Sequence, residues 1–135
     1  MDPASLWISF FASIGTILQL SGEVVQYIKD AKGAPTKRQD LLHEIDATAN
    51  VLRRFEVRAK RDDCKSALEV LNRPLEQHQD LLNKLKAKLQ PAHTTLRGIV
   101  THATWHFSEN EINKMVSRME RFKSLFNHVL AMECL

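Results

Sequence analysis

The chain has 135 residues, 44% of them hydrophobic and 26% charged, with a formal net charge of +3. That length is one domain with room for a real core, the composition excludes a disordered chain, and the charge is too small to argue for nucleic acid. With only four Gly and four Pro and almost no strand-like alternation, the chain reads as all-α: a helical bundle of four long helices plus one or two short ones.

From Pro3 through Gly22 no side chain is charged. Twenty such residues would span about 30 Å as a helix, close to the hydrocarbon thickness of a bilayer. Asp2 is placed to cap this first helix and Pro3 to occupy its first turn, and Gly33 and Pro35 break it after about Ala31. Ser5, Ser9, Ser13, Thr16, Gln19, Glu23 and Gln26 recur at steps of three or four and form a narrow polar stripe. Leu6, Trp7, Ile8, Phe10, Phe11, Ile14, Ile17, Leu18 and Leu20 make most of the remaining surface apolar. Two readings stand: a core helix of a soluble bundle in the resting state, and a segment that enters a membrane as an oligomer. They are compatible.

Thr36 is placed to cap a second helix with apolar positions Leu41, Leu42, Ile45, Ala49, Leu52 and Phe55, one buried face. Its end carries Arg53, Arg54, Arg58, Lys60 and Arg61, cations that suit the negative end of the helix dipole. Residues 57–72 are open between a loop and an extension of this helix. Asn72, with Pro74 behind it, is the expected start of a third helix whose Leu75, His78, Leu82, Leu85 and Leu89 form a heptad seam; Pro91 stops it. A shorter helix is expected from Thr94 to about Ala103. Ser108-Glu109-Asn110-Glu111 has the capping-box pattern S-x-x-E. The last helix follows with Ile112, Met115, Met119, Phe122, Phe126 and Val129 at heptad spacing. It is still in phase at Leu135, with no stop signal, so these residues read as the N-terminal domain of a larger protein.

Chemistry is hard to find. His102 and His106 share a helix face but have no third ligand, so no metal site is expected, and His78 on the leucine seam reads as a core residue. There is no glycine-rich phosphate loop, and Cys64 lies beside Asp62, Asp63 and Lys65 with no activating environment. Cys64 and Cys134 read as free cytosolic thiols. The chain is expected to be no enzyme, with no catalytic, cofactor-binding or metal-binding residues. No Lys or Arg precedes the apolar run, which disfavours a secretory signal; neither a prenylation box nor an N-myristoylation site is present. The cluster Arg53, Arg54, Arg58, Lys60 and Arg61 has two readings: a solvated helix end, or a dock for anionic lipid headgroups, worth about 1 kcal/mol per residue near such a surface.

The block ASIGTILQLSGEVVQYIKDAKGAPTKRQDLLHEI resembles the opening of HeLo-like domains at the N-termini of fungal NOD-like receptors and related STAND proteins. RPLEQHQDLLNKLKAKLQPA and TWHFSENEINKMVSRMERFKSLFNHVL resemble the same family's third helix and its W-x-F entry to the last helix. The resemblance covers most of the chain outside about residues 57–72 and 92–103. It implies a cytoplasmic helical bundle serving programmed cell death and heterokaryon incompatibility in fungi, followed by a NACHT-type oligomerisation domain and repeats. In related HeLo domains the N-terminal hydrophobic helix is the segment carried into the bilayer, a role that falls here on Leu6 to Leu20. The implied partners are membrane lipids, anionic ones included, further copies of the domain on activation, and the NACHT-type domain, with no nucleic acid. The implied movement is from cytoplasm to plasma membrane. The competing expectation is a non-lytic interaction module that docks a partner or regulates its own receptor.

Overall fold

Apolar residues alternating at steps of four and three mark one face of a helix, and four segments carry that pattern. The computed structural model describes residues 3–31, 36–61, 65–89, 105 and 107–133, with side chains at 8–31, 36–58, 69–89, 105 and 107–131. Within it the four segments are helices: α1 (Pro3–Asp30), α2 (Arg38–Arg61), α3 (Lys65–Leu89) and α4 (Glu109–Glu133). The seams are buried as the spacing predicts, except that Met115 is only half-buried against the core. Phe10, Ile14, Ile17, Val24 and Ile28 come from α1, and Leu41, Ile45, Leu52 and Phe55 from α2. Leu71, Leu75, Leu82, Leu85 and Leu89 come from α3, and Ile112, Met119, Phe122, Phe126 and Val129 from α4. They form one continuous core.

Two expected helix starts are corrected. α2 begins at Arg38, and its first turn closes through the Thr36 and Lys37 carbonyls, which accept from the Gln39 and Asp40 amides. Among the described residues the Thr36 hydroxyl makes no capping bond. Asn72 is no cap: it is an exposed residue inside α3, which starts at Lys65 and holds Pro74 in its interior. Leu71 is fully buried one turn before Leu75, so the seam runs through this segment. Burying a leucine stabilises by roughly 1.5–3 kcal/mol, about the cost of an interior proline. The open segment 57–72 is therefore the end of α2 and the start of α3, separated by residues 62–64. The short helix expected at Thr94 to Ala103, the Asp2 cap and both cysteines lie outside the described residues.

The capping box forms as expected. The Ser108 hydroxyl accepts from the Glu111 amide at 3.1 Å, and the Ser108 amide donates to Glu111 Oε1 at 3.5 Å.

Among the described residues α1 packs against α3 and α2, and α4 against α2 and α3, so α1 and α4 lie on one diagonal. Contacts give the directions. Glu23 and Lys86, each late in its helix, pair at 2.6 Å, so α1 and α3 run parallel. Lys37, just before α2, pairs with Glu109 at the start of α4 at 2.6 Å, so those two run parallel as well. Phe10 early in α1 meets Phe55 late in α2, centroids 5.5 Å apart. One end of the bundle thus gathers the starts of α1 and α3 with the end of α2. The other end gathers the end of α1, the start of α2, the end of α3 and the start of α4.

Candidate functional site

Of the nine apolar residues singled out on α1, Phe10, Ile14, Ile17 and Leu20 are buried in the core. Phe11 and Leu18 are half-buried against it, and Ile8 is 71% exposed. The side chains of Leu6 and Trp7 lie outside the described ones. The expected apolar face is thus mainly the bundle's own core.

The outward face has a different character. Ile8, Ser9, Ala12, Gly15, Thr16, Gln19 and Gly22 are exposed, and none is charged. A Cβ added at Gly15 or Gly22 would meet nothing within 4 Å, so both glycines lie on open surface. Of the polar stripe, Ser9, Thr16 and Gln19 face solvent, Ser13 and Glu23 are half-buried, and the Ser5 side chain lies outside the described ones. The Thr16 hydroxyl donates back to the Ala12 carbonyl at 3.0 Å, so the helix satisfies this group without water. Glu23 is held by Lys86 of α3, whose ammonium is pushed above its usual range by that bond. The stripe therefore runs along the α3 edge of α1. By length and composition α1 suffices to cross a bilayer over Ile8–Asp30, a test that the core helix of a soluble bundle also passes.

Arg53, Arg54 and Arg58 are exposed on the last turns of α2, and Arg53 donates to Asn50 Oδ1 at 2.8 Å. Lys60 and Arg61 are helical, with side chains outside the described ones. The Phe10–Phe55 contact sets this basic tail beside the start of α1. Two residues missed from the sequence join them: Val57 of α2 and Val70 of α3, 55% and 50% exposed. Both are out of phase with their seams, the one signal that could have found them. The three large hydrophobics exposed among the described residues, Ile8, Val57 and Val70, all lie at this end.

The opposite end is stitched. Lys37 pairs with Glu109 at 2.6 Å and Lys88 with Glu111 at 3.2 Å, while Lys88 also lies 5.1 Å over the Phe107 ring. These cations hold the Glu109 and Glu111 carboxyls below their usual range. Through the core between the ends runs a chain of rings: Phe10 to Phe55 (5.5 Å), Phe55 to Phe126 (5.5 Å), Phe126 to Phe122 (4.5 Å) and Phe122 to His78 (4.3 Å). It joins all four helices. Among the described residues no cluster of three or more His, Cys, Asp or Glu could hold a metal ion; His102 and His106 lie outside them. No protein-family model, no curated protein and no solved structure matches the chain.

Proposed function

We propose that this chain is a HeLo-like domain of a fungal NOD-like receptor, a non-enzymatic cell-death effector that attacks membranes once oligomerised. The observation that carries the reading is the open end of the bundle. There the start of a helix with an uncharged outer face lies against the arginine-bearing end of α2, among exposed Ile8, Val57 and Val70. In the cytoplasm the arginines and exposed apolar side chains dock on anionic lipid. α1 then leaves the bundle, its Leu/Ile/Phe face meets hydrocarbon, and the stripe Ser9, Ser13, Thr16 and Gln19 faces neighbouring copies, where small polar residues pair.

Energetics demand oligomerisation. Withdrawing Phe10, Ile14, Ile17 and Leu20 from the core costs roughly 1.5–3 kcal/mol each. A single copy recovers this only by complete insertion, whereas a NACHT-type ring holds several copies close enough to insert together.

The second reading, a non-lytic module, is favoured by the same burial, which makes α1 integral to the core. A tethered variant separates them. Thr16 and Gln79 lie two turns before Glu23 and Lys86 on the parallel helices, so Thr16→Cys and Gln79→Cys, with Cys64 and Cys134 changed to Ser, accept a short bismaleimide bridge. Dye release from anionic liposomes by the oligomerised domain is expected, and its loss on bridging. Release that survives the bridge overturns membrane attack through α1.

A further inference from the structure

Away from α1, a groove of about 530 Å³ opens between α3 and α4. Its floor is apolar: Leu81 and Phe122 are buried and Leu125 is half-buried. His78 lies there too, 4% exposed, stacked on Phe122 at 4.3 Å with the rings 14° from parallel. Its Nε2 is buried and has no hydrogen-bond partner among the described residues. A buried polar atom left unpaired is destabilising, so a ligand that pairs it gains by doing so.

The rim is cationic. Lys84 of α3 and Arg118 and Arg121 of α4 border the groove against one carboxylate, Asp80. Lys86, Lys88 and Lys123 on the same two helices each have a carboxylate partner within 3.2 Å. Lys84, Arg118 and Arg121 have none among the described residues. Lys114, one turn before Arg118, extends the positive stripe along a shallower hollow on α4. Burial holds His78 near pKa 4, so at neutral pH the imidazole is uncharged and offers hydrogen bonds rather than a fourth cation.

We infer that the α3/α4 groove is a binding site for a single-chain anionic phospholipid. The phosphate meets Lys84, Arg118 and Arg121, the glycerol hydroxyl meets His78 Nε2, and the first methylenes lie on Leu81, Phe122 and Leu125. Each part of the ligand answers one observation. Three cations without a carboxylate partner among the described residues, Arg121 donating only its Nε to the Ser117 carbonyl at 3.4 Å, ask for an anion. A buried nitrogen with no hydrogen-bond partner among the described residues asks for a neutral hydroxyl. The apolar floor asks for hydrocarbon, which free phosphate lacks, and a groove of this size takes a headgroup with part of a chain. The site is independent of membrane attack, because α1 does not line the groove and lies diagonal to α4.

The test is calorimetric titration of the whole chain with decanoyl lysophosphatidate below its critical micelle concentration. Three comparison ligands accompany it: glycerol 3-phosphate, decanoyl lysophosphatidylcholine and decyl phosphate. Lysophosphatidate is expected to bind at least about tenfold tighter than each of the three, a step of about 1.4 kcal/mol. Arg118→Ser with Arg121→Ser, both exposed and outside the core, is expected to weaken lysophosphatidate by about tenfold or more with circular dichroism unchanged. His78→Phe is expected to erase the preference of lysophosphatidate over decyl phosphate while leaving decyl phosphate binding in place. That ratio compares two ligands on one variant, so a general loss of stability does not mimic it. Equal binding of lysophosphatidylcholine, equal binding of glycerol 3-phosphate, or indifference to the arginine changes would overturn the assignment. So would binding of an acidic peptide at the same site more tightly than lysophosphatidate.

Discussion

His78 shows how a single side chain can be at once structural and exposed to titration. Burial lowers its pKa from 6.5 to about 4, so the folded chain resists taking a proton that the unfolded chain accepts readily. Its contribution to stability is complete above about pH 6.5 and falls as the pH drops toward 4, because only the unfolded state gains a proton in that window. The total loss is about 3 kcal/mol at 1.36 kcal/mol per unit. Glu109 and Glu111, both held below their ordinary value of 4.5, lose stability in the same direction but only below that value. Urea unfolding between pH 6.5 and 4.5 therefore isolates the histidine. A falling midpoint is expected in the native chain, and a flatter one in His78→Phe, where a ring of similar shape keeps the Phe122 stack. An equal slope in both would assign the acid sensitivity to other groups.

At the scale of the helix, two local features have opposite signs. The Ser108–Glu111 capping box gives α4 two satisfied amides, and Ser108→Ala is expected to cost about 1 kcal/mol, read as a lowered unfolding midpoint. Pro74 works against α3: it cannot donate to the Val70 carbonyl, and Pro74→Ala is expected to raise stability by about 1–3 kcal/mol. A neutral result there would mean that α3 has bent to relieve the loss. The pair also explains what was legible beforehand. The heptad seams could be read from residue spacing because core burial rewards that period directly, and the capping box because its partners are three residues apart. The start of α3 could not, since Asn72 and Pro74 are strong local boundary signals and only tertiary burial of Leu71 overrides them. Val57, Val70 and the basic α3/α4 groove were equally hidden: each depends on which helices are neighbours, and spacing within one helix says nothing of that. His78 on the seam could be placed in the core, but the missing partner of its Nε2 could not.

For the whole molecule, the two ends of the bundle differ in kind. Ion pairs from Lys37, Lys86 and Lys88 tie one end together, while the other presents Ile8, Val57 and Val70 beside Arg53 and Arg54. If the open end docks before α1 leaves, docking and insertion are separable steps with different chemistry. Docking is electrostatic, so it weakens with salt and depends on the α2 arginines. Insertion is hydrophobic and depends on release of α1. Arg53→Ser with Arg54→Ser removes about 2 kcal/mol of attraction to an anionic surface, roughly a 30-fold loss in vesicle binding. Both side chains are exposed, so the fold is expected to survive. The bismaleimide-bridged variant should behave in the opposite way, sedimenting with anionic vesicles as well as the unbridged chain while releasing no dye. Binding measured against salt and leakage measured on the same vesicles check both halves together. Arginine variants that bind normally would move the docking surface away from the α2 end. A bridged chain that fails to bind at all would make docking and α1 release a single event.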